Sequence, residues 1–96
     1  MVKGTTSTGF AFEYDEARLD DMRFVDLLAV VVDQEAGLLD RVKSASRMLT
    51  LLLGEADKTR LYEHIGKSYG GRVPRDDMER ELNEIMRAAG KDAEKN

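Results

Sequence analysis

His64 is the only histidine in the chain, and with no cysteine anywhere it is the first residue to ask about catalysis or metal binding. A catalytic imidazole needs a nucleophile and an orienting carboxylate within hydrogen-bond reach. Glu63, its neighbour, points elsewhere on a helix, so the residue types point to a partly exposed helix histidine. Gly66-Lys67-Ser68 resembles the end of a phosphate-binding loop, but position 61, where that loop would begin with glycine, holds leucine. No strand precedes it either. The acid pairs Asp20-Asp21 and Asp76-Asp77 diverge when adjacent residues lie on a helix, and both sit where helix starts attract acids. Asp76, Asp77 and Glu81 lack the loop spacing that calcium requires. These residues predict no catalytic, cofactor or metal site, and the expectation is a protein that binds another protein and is not an enzyme.

The elements that would position a binding surface follow from periodicity. Ninety-six residues suit one domain. The apolar share is 42% and the charged share 35%, a balance that suits amphipathic helices with charged outer faces. We expect a mainly α protein: a compact bundle of about four helices with a short, extended N-terminal aromatic segment. Residues 1–9 are read as a flexible leader, 10–90 as a single helical domain and 91–96 as a charged tail.

Within 10–90, Phe10, Phe12 and Tyr14 alternate, so in an extended chain their rings share one face. A lone strand cannot stand in water. The segment must pair with something, lie on its own helices, or dock on a partner, and packing on its own helices is favoured. The first helix starts near Asp20 or Asp21 and buries Phe24, Leu27, Leu28, Val31 and Val32, with a break at Asp33–Gly37. The second carries Leu38, Val42, Ala45, Leu49 and Leu52 at helical spacing and stops at Gly54. A third, with Asp57 as its cap, presents Leu61, Tyr62 and Ile65; Gly66 weakens its end and Gly70-Gly71 marks a turn. Val73-Pro74 opens the last helix, with Met78, Leu82, Ile85, Met86 and Ala89 in its stripe and Gly90 as its end.

Apolar surface left over by such a bundle is where a partner would bind. The candidate partner-binding residues are Phe10, Phe12, Tyr14, Met78, Leu82, Ile85 and Met86, the methionines because their flexible side chains adapt to varied helical ligands. Ordinary core packing is the competing reading for them, and for the methionines the favoured one.

Charge narrows the partner. The net charge is −4, which disfavours a general nucleic-acid binder. A helix-turn-helix reading of the last two helices fails on the glutamates of the last one, which phosphates would repel. The charge is also unevenly spread. Residues 1–40 carry three basic and nine acidic groups, whereas residues 41–60 carry five basic and two acidic ones. Solvated helix faces account for this, or the two regions attract each other within one molecule or between copies. No stretch approaches the ~20 apolar residues that span a bilayer, and MVKGTTSTGF has no apolar signal core. No membrane association is expected, and the absence of cysteine fits a cytoplasmic protein.

The order of segments carries a family resemblance. LTLLLGEADKTRLYEHI followed by GGRVPRDDMERELNEIMRAAG resembles the tail assembly chaperones of long-tailed, siphovirus-like bacteriophages and prophages. The matching positions are Leu53-Gly54, Gly71-Arg72-Val73 and Glu84-Ile85, and the aromatic opening GFAFEYDEARLDDMRFVDLLA fits as well, so the resemblance spans Gly9 to Gly90. It implies a protein of the host bacterial cytoplasm that binds the phage tape measure protein, keeps it soluble during tail assembly, and is not expected in the mature virion. It also implies self-association along the tape measure, with the tail tube protein as a further partner. The alternative is a structural phage component, a head–tail connector, neck or minor tail protein, which would stay in the particle.

Overall fold

In a computed structural model of the chain, residues 1–95 are described, with side chains described as far as Gly90. Two short strands open it, β1 (Val2–Thr5) and β2 (Ala11–Tyr14), paired antiparallel as a hairpin. The register sets Val2 opposite Tyr14 and Gly4 opposite Phe12 on one face, and Lys3 opposite Glu13 on the other. The inward face is therefore apolar and the outward face charged, as the period of two requires. Phe12 stacks on Tyr14 at a centroid distance of 6.1 Å. Glycine at position 4 is what lets that ring lie flat over β1: a Cβ there would stand 2.8 Å from Phe12 Cζ.

The expected flexible leader is thus a strand and a turn. Val2 is fully buried, and the turn closes by hydrogen bonds from Thr6 N to Phe10 O and from Gly9 N to Thr6 O, both 2.9 Å. The alternating aromatics find their strand partner inside the chain, in residues whose pattern, VKGT, is too short and too polar to announce a strand by itself.

A 3-10 helix (Glu16–Asp20), capped by Asp15, leads into α1 (Met22–Val32). Asp21 caps α1, its carboxylate accepting from Arg23 N at 2.9 Å. Then come α2 (Leu38–Leu53), α3 (Glu55–Gly66) and α4 (Arg75–Lys95), so the protein is mainly α with four helices. Gly54 joins α2 to α3 with no loop between them. Its φ of 86° is open to glycine and costly for other residues. Because α3 begins immediately after it, Asp57 lies in the first turn of that helix rather than at its cap.

The last helix departs from expectation at its end. It passes through Gly90 to Lys95, so Gly90 is no stop. A single glycine inside a helix costs about 1 kcal/mol relative to alanine and need not end it. Of the expected charged tail, Asn96 lies outside the described residues.

The core gathers one face of each element. The hairpin contributes Val2, Phe10, Phe12 and Tyr14; α2 contributes Ala45, Met48, Leu49, Leu52 and Leu53; and Phe24, Leu61, Ile65, Met78, Leu82 and Ile85 complete it from α1, α3 and α4. Among the described residues no helix is long and apolar enough to cross a membrane.

Candidate partner-binding surface

Of the residues expected to receive a partner, Phe10, Phe12, Tyr14, Met78, Leu82 and Ile85 are all buried in the one core cluster. The hairpin and α4 cover each other, and that mutual burial removes both stripes from solvent. Tyr14 seals the contact, its hydroxyl donating to the Ile85 carbonyl at 2.8 Å. Phe10, Phe12, Tyr14 and Ile85 hold the fold together and are not an open docking surface, whereas Met78 and Leu82, though buried, lie at the bottom of surface grooves. Met86 alone of the set is only half-buried.

The turn of the hairpin is fixed to α4 by carboxylates. Thr6 and Thr8 donate their hydroxyls to Glu81 Oε1 at 2.9 and 2.8 Å. The backbone N–H and hydroxyl of Ser7 donate to the two oxygens of Glu84 at 2.8 and 2.9 Å. Thr8 Oγ1 also lies 3.0 Å from His64 Nε2. With the hydroxyl proton engaged by Glu81, the imidazole Nε2–H is the donor there. The His64 ring rests against Phe10 at 5.7 Å. Glu81 is wholly buried, and its Oε2 has no hydrogen-bond partner. This Glu–Thr–His chain orders a turn against a helix. The threonine shares its one proton with a carboxylate, so the imidazole is not placed to withdraw it as a general base would. Among the described residues no three acidic or histidine side chains gather as a metal ion requires.

The surface that does stand open lies between α1, α2 and α4. The sequence assigns Val32 and Leu38 to buried stripes, yet they are 65% and 58% exposed. In α1, MRFVDLLAVVV, only Phe24 is buried. Leu27, Leu28 and Val31 are half-covered, because α1 lies at the edge of the bundle and packs chiefly on α2. The result is a groove of about 470 Å³. Ala45, Met48 and Leu82 form its floor, Leu28, Val31 and Met86 its walls, and Val32 and Leu38 its open end. Arg41, Arg75, Glu79 and Asn83 supply a mixed polar rim. Arg41 also ties the two helices that frame the groove, its Nε donating to the Val31 carbonyl at 3.1 Å.

The residues missed from sequence are those of the hairpin turn. A Thr-rich turn ending in Gly9 between two short alternating segments, VKGT and AFEY, is a hairpin signal, though a weak one at four residues a side. The groove itself is assembled from residues read correctly as helix stripes, and what periodicity cannot say is which stripe the bundle leaves uncovered. The chain matches no protein-family model, no curated protein and no solved structure.

Proposed function

We propose that this chain is a phage tail assembly chaperone, a non-enzymatic binding protein that takes an amphipathic helix of the tape measure protein into the groove between α1, α2 and α4. The observation that carries the reading is the groove itself: an apolar channel of about 470 Å³ with exposed valine and leucine at its mouth. A helix laid in such a groove would anchor aliphatic side chains at i, i+3 or i+4 and i+7. The polar rim of Arg41, Arg75, Glu79 and Asn83 would meet the flanks of that helix. The family resemblance of the sequence supplies the partner's identity.

The physical task fits the surface. A long tape measure helix exposes apolar stripes that aggregate, and many copies of a small acidic protein would cover them while their charge keeps the assembly in solution. No cofactor enters this account, and the work would take place in the host cytoplasm before the particle is complete. Co-expression with the tape measure protein of the same phage tests it. The chaperone reading expects a soluble complex from a tape measure that is insoluble alone. A tape measure that stays soluble by itself and forms no complex, with the chain found in purified particles by mass spectrometry, would replace it with a connector or neck protein.

A further inference from the structure

A second apolar groove lies on the opposite side of α2 and is unlike the first in charge. It is a space of about 430 Å³ between α2, α3 and α4, with Val42, Tyr62, Val73 and Met78 as its apolar lining. Lys43, Arg47 and Arg75 stand around it, and no carboxylate lines it. Lys43 and Arg47 are exposed and make no ion pair among the described residues. Arg75 has only a 3.7 Å contact with the exposed Asp76. Lys58 adds a further cation, its ammonium 5.6 Å from the centre of the Tyr62 ring. A basic cluster around apolar lining, two of its cations without an ion pair among the described residues, in a protein of net charge −4, calls for an acidic and apolar occupant.

The chain carries such an occupant on its own surface. The corner between α1 and α2 carries Asp33, Glu35, Leu39 and Asp40, an aliphatic side chain among three carboxylates, all exposed. Leu39 is 72% exposed, the largest value among the big apolar side chains. It stands three, four and seven residues before Val42, Lys43 and Ser46, so on α2 it lies on the stripe that runs into the basic groove. Corner and groove are therefore neighbours on one face of the molecule.

We propose that this face pairs with a second copy of the chain, the acidic corner of each copy entering the basic groove of the other. Because both halves of the contact lie on one continuous stripe, a two-fold axis satisfies them together and closes the assembly as a dimer. The pairing leaves the apolar lining of the groove between α1, α2 and α4 free, the two grooves sharing only Arg75 at their rims, so it holds whether or not that groove receives a tape measure helix.

Sedimentation of the purified full chain tests it, with two charge-reversed variants. The wild type is expected to dimerise, and to dissociate as salt rises from about 0.1 to 1 M and the screening length falls from about 10 to 3 Å. Lys43→Glu with Arg47→Glu puts two carboxylates in the groove to face the acidic corner, leaving Arg75 and Lys58 as its cations. Glu35→Lys with Asp40→Lys puts two ammonium groups on the corner to face the basic groove, leaving Asp33 as its carboxylate. Each variant alone is expected to dimerise at least about tenfold more weakly, since like charges then face each other twice. Mixed in equal amounts, the two restore both contacts and should form a one-to-one heterodimer. That recovery also separates a lost contact from a lost fold. A wild type that is monomeric at all concentrations, reversed variants that dimerise as before, or a mixture that stays monomeric would each overturn the proposal.

Discussion

Thr8 on the hairpin turn and Glu81 on α4, 73 residues apart in sequence, meet in a part-buried 2.8 Å hydrogen bond. Glu81 accepts from Thr6 through the same oxygen at 2.9 Å, so one buried carboxylate holds both ends of a turn. Hydrogen bonds to a charged group contribute about 1.5–3 kcal/mol, and leaving their donors unmade in the interior costs about as much. Glu81→Ala should therefore destabilise the fold by about 2–3 kcal/mol in denaturant unfolding. Glu81→Gln should cost less, because the amide oxygen still accepts from both threonines. Equal losses from the two substitutions would mean that packing, and not these hydrogen bonds, is what Glu81 contributes.

The hairpin face offers a steric test. A Cβ at Gly4 meets the rim of the Phe12 ring at 2.8 Å. Gly4→Ala should cost about 1–3 kcal/mol, the usual range for overpacking. Phe12→Leu in the same chain should return part of that loss, because the clash needs the ring. Thermal unfolding of the four members of the cycle measures it, and strictly additive effects would show that the two side chains do not meet.

Hydrophobic spacing in the sequence locates the four helices, and Asp21, Gly54 and Val73-Pro74 mark their boundaries. It does not locate β1, because a four-residue strand containing lysine and glycine carries almost no local signal; what makes it a strand is the tertiary packing of Val2 and the ring of Phe12 over Gly4. The same fact moved the site. Phe10, Phe12 and Tyr14 look available while their strand partner is unknown, and once it is found they are core. Val32 and Leu38 look like core because a stripe says that a residue is apolar, not whether a neighbour reaches it. Their exposure follows from the position of α1 at the edge of the bundle.

Asp21 gives the pH dependence. Its carboxyl is lowered to about 2 by the hydrogen bond from the Arg23 guanidinium first and from the Arg23 backbone N–H second. A carboxyl depressed in the folded protein contributes stability that is fully present above the unfolded value of about 3.9. That contribution is lost as pH falls through about 2. NMR titration of the Asp21 carboxyl carbon should show a midpoint near the lower value, moving up toward the ordinary one in Arg23→Ala. A midpoint near 3.9 in the unsubstituted protein would mean that the cap and its ion pair are not formed in solution.

Because Val32 and Leu38 are exposed, changing them tests the groove without opening the core. Val32→Glu with Leu38→Glu should leave helix content and unfolding midpoint close to those of the parent, as surface substitutions usually do within about 0.5 kcal/mol. Capture of the tape measure protein should fall by on the order of tenfold or more, since the mouth of the channel would then present two charges to an apolar stripe. Undiminished capture would place the partner elsewhere.

The central claim, that a partner helix lies between α1, α2 and α4, is tested most directly by methyl NMR of the chain titrated with amphipathic helical segments of the tape measure protein. The account predicts shifts concentrated at the methyls of Leu28, Val31, Val32, Leu38 and Met86, with those of Val42 and Val73 on the far side of α2 little changed. Shifts confined to Val42 and Val73, or none with any segment, would contradict it.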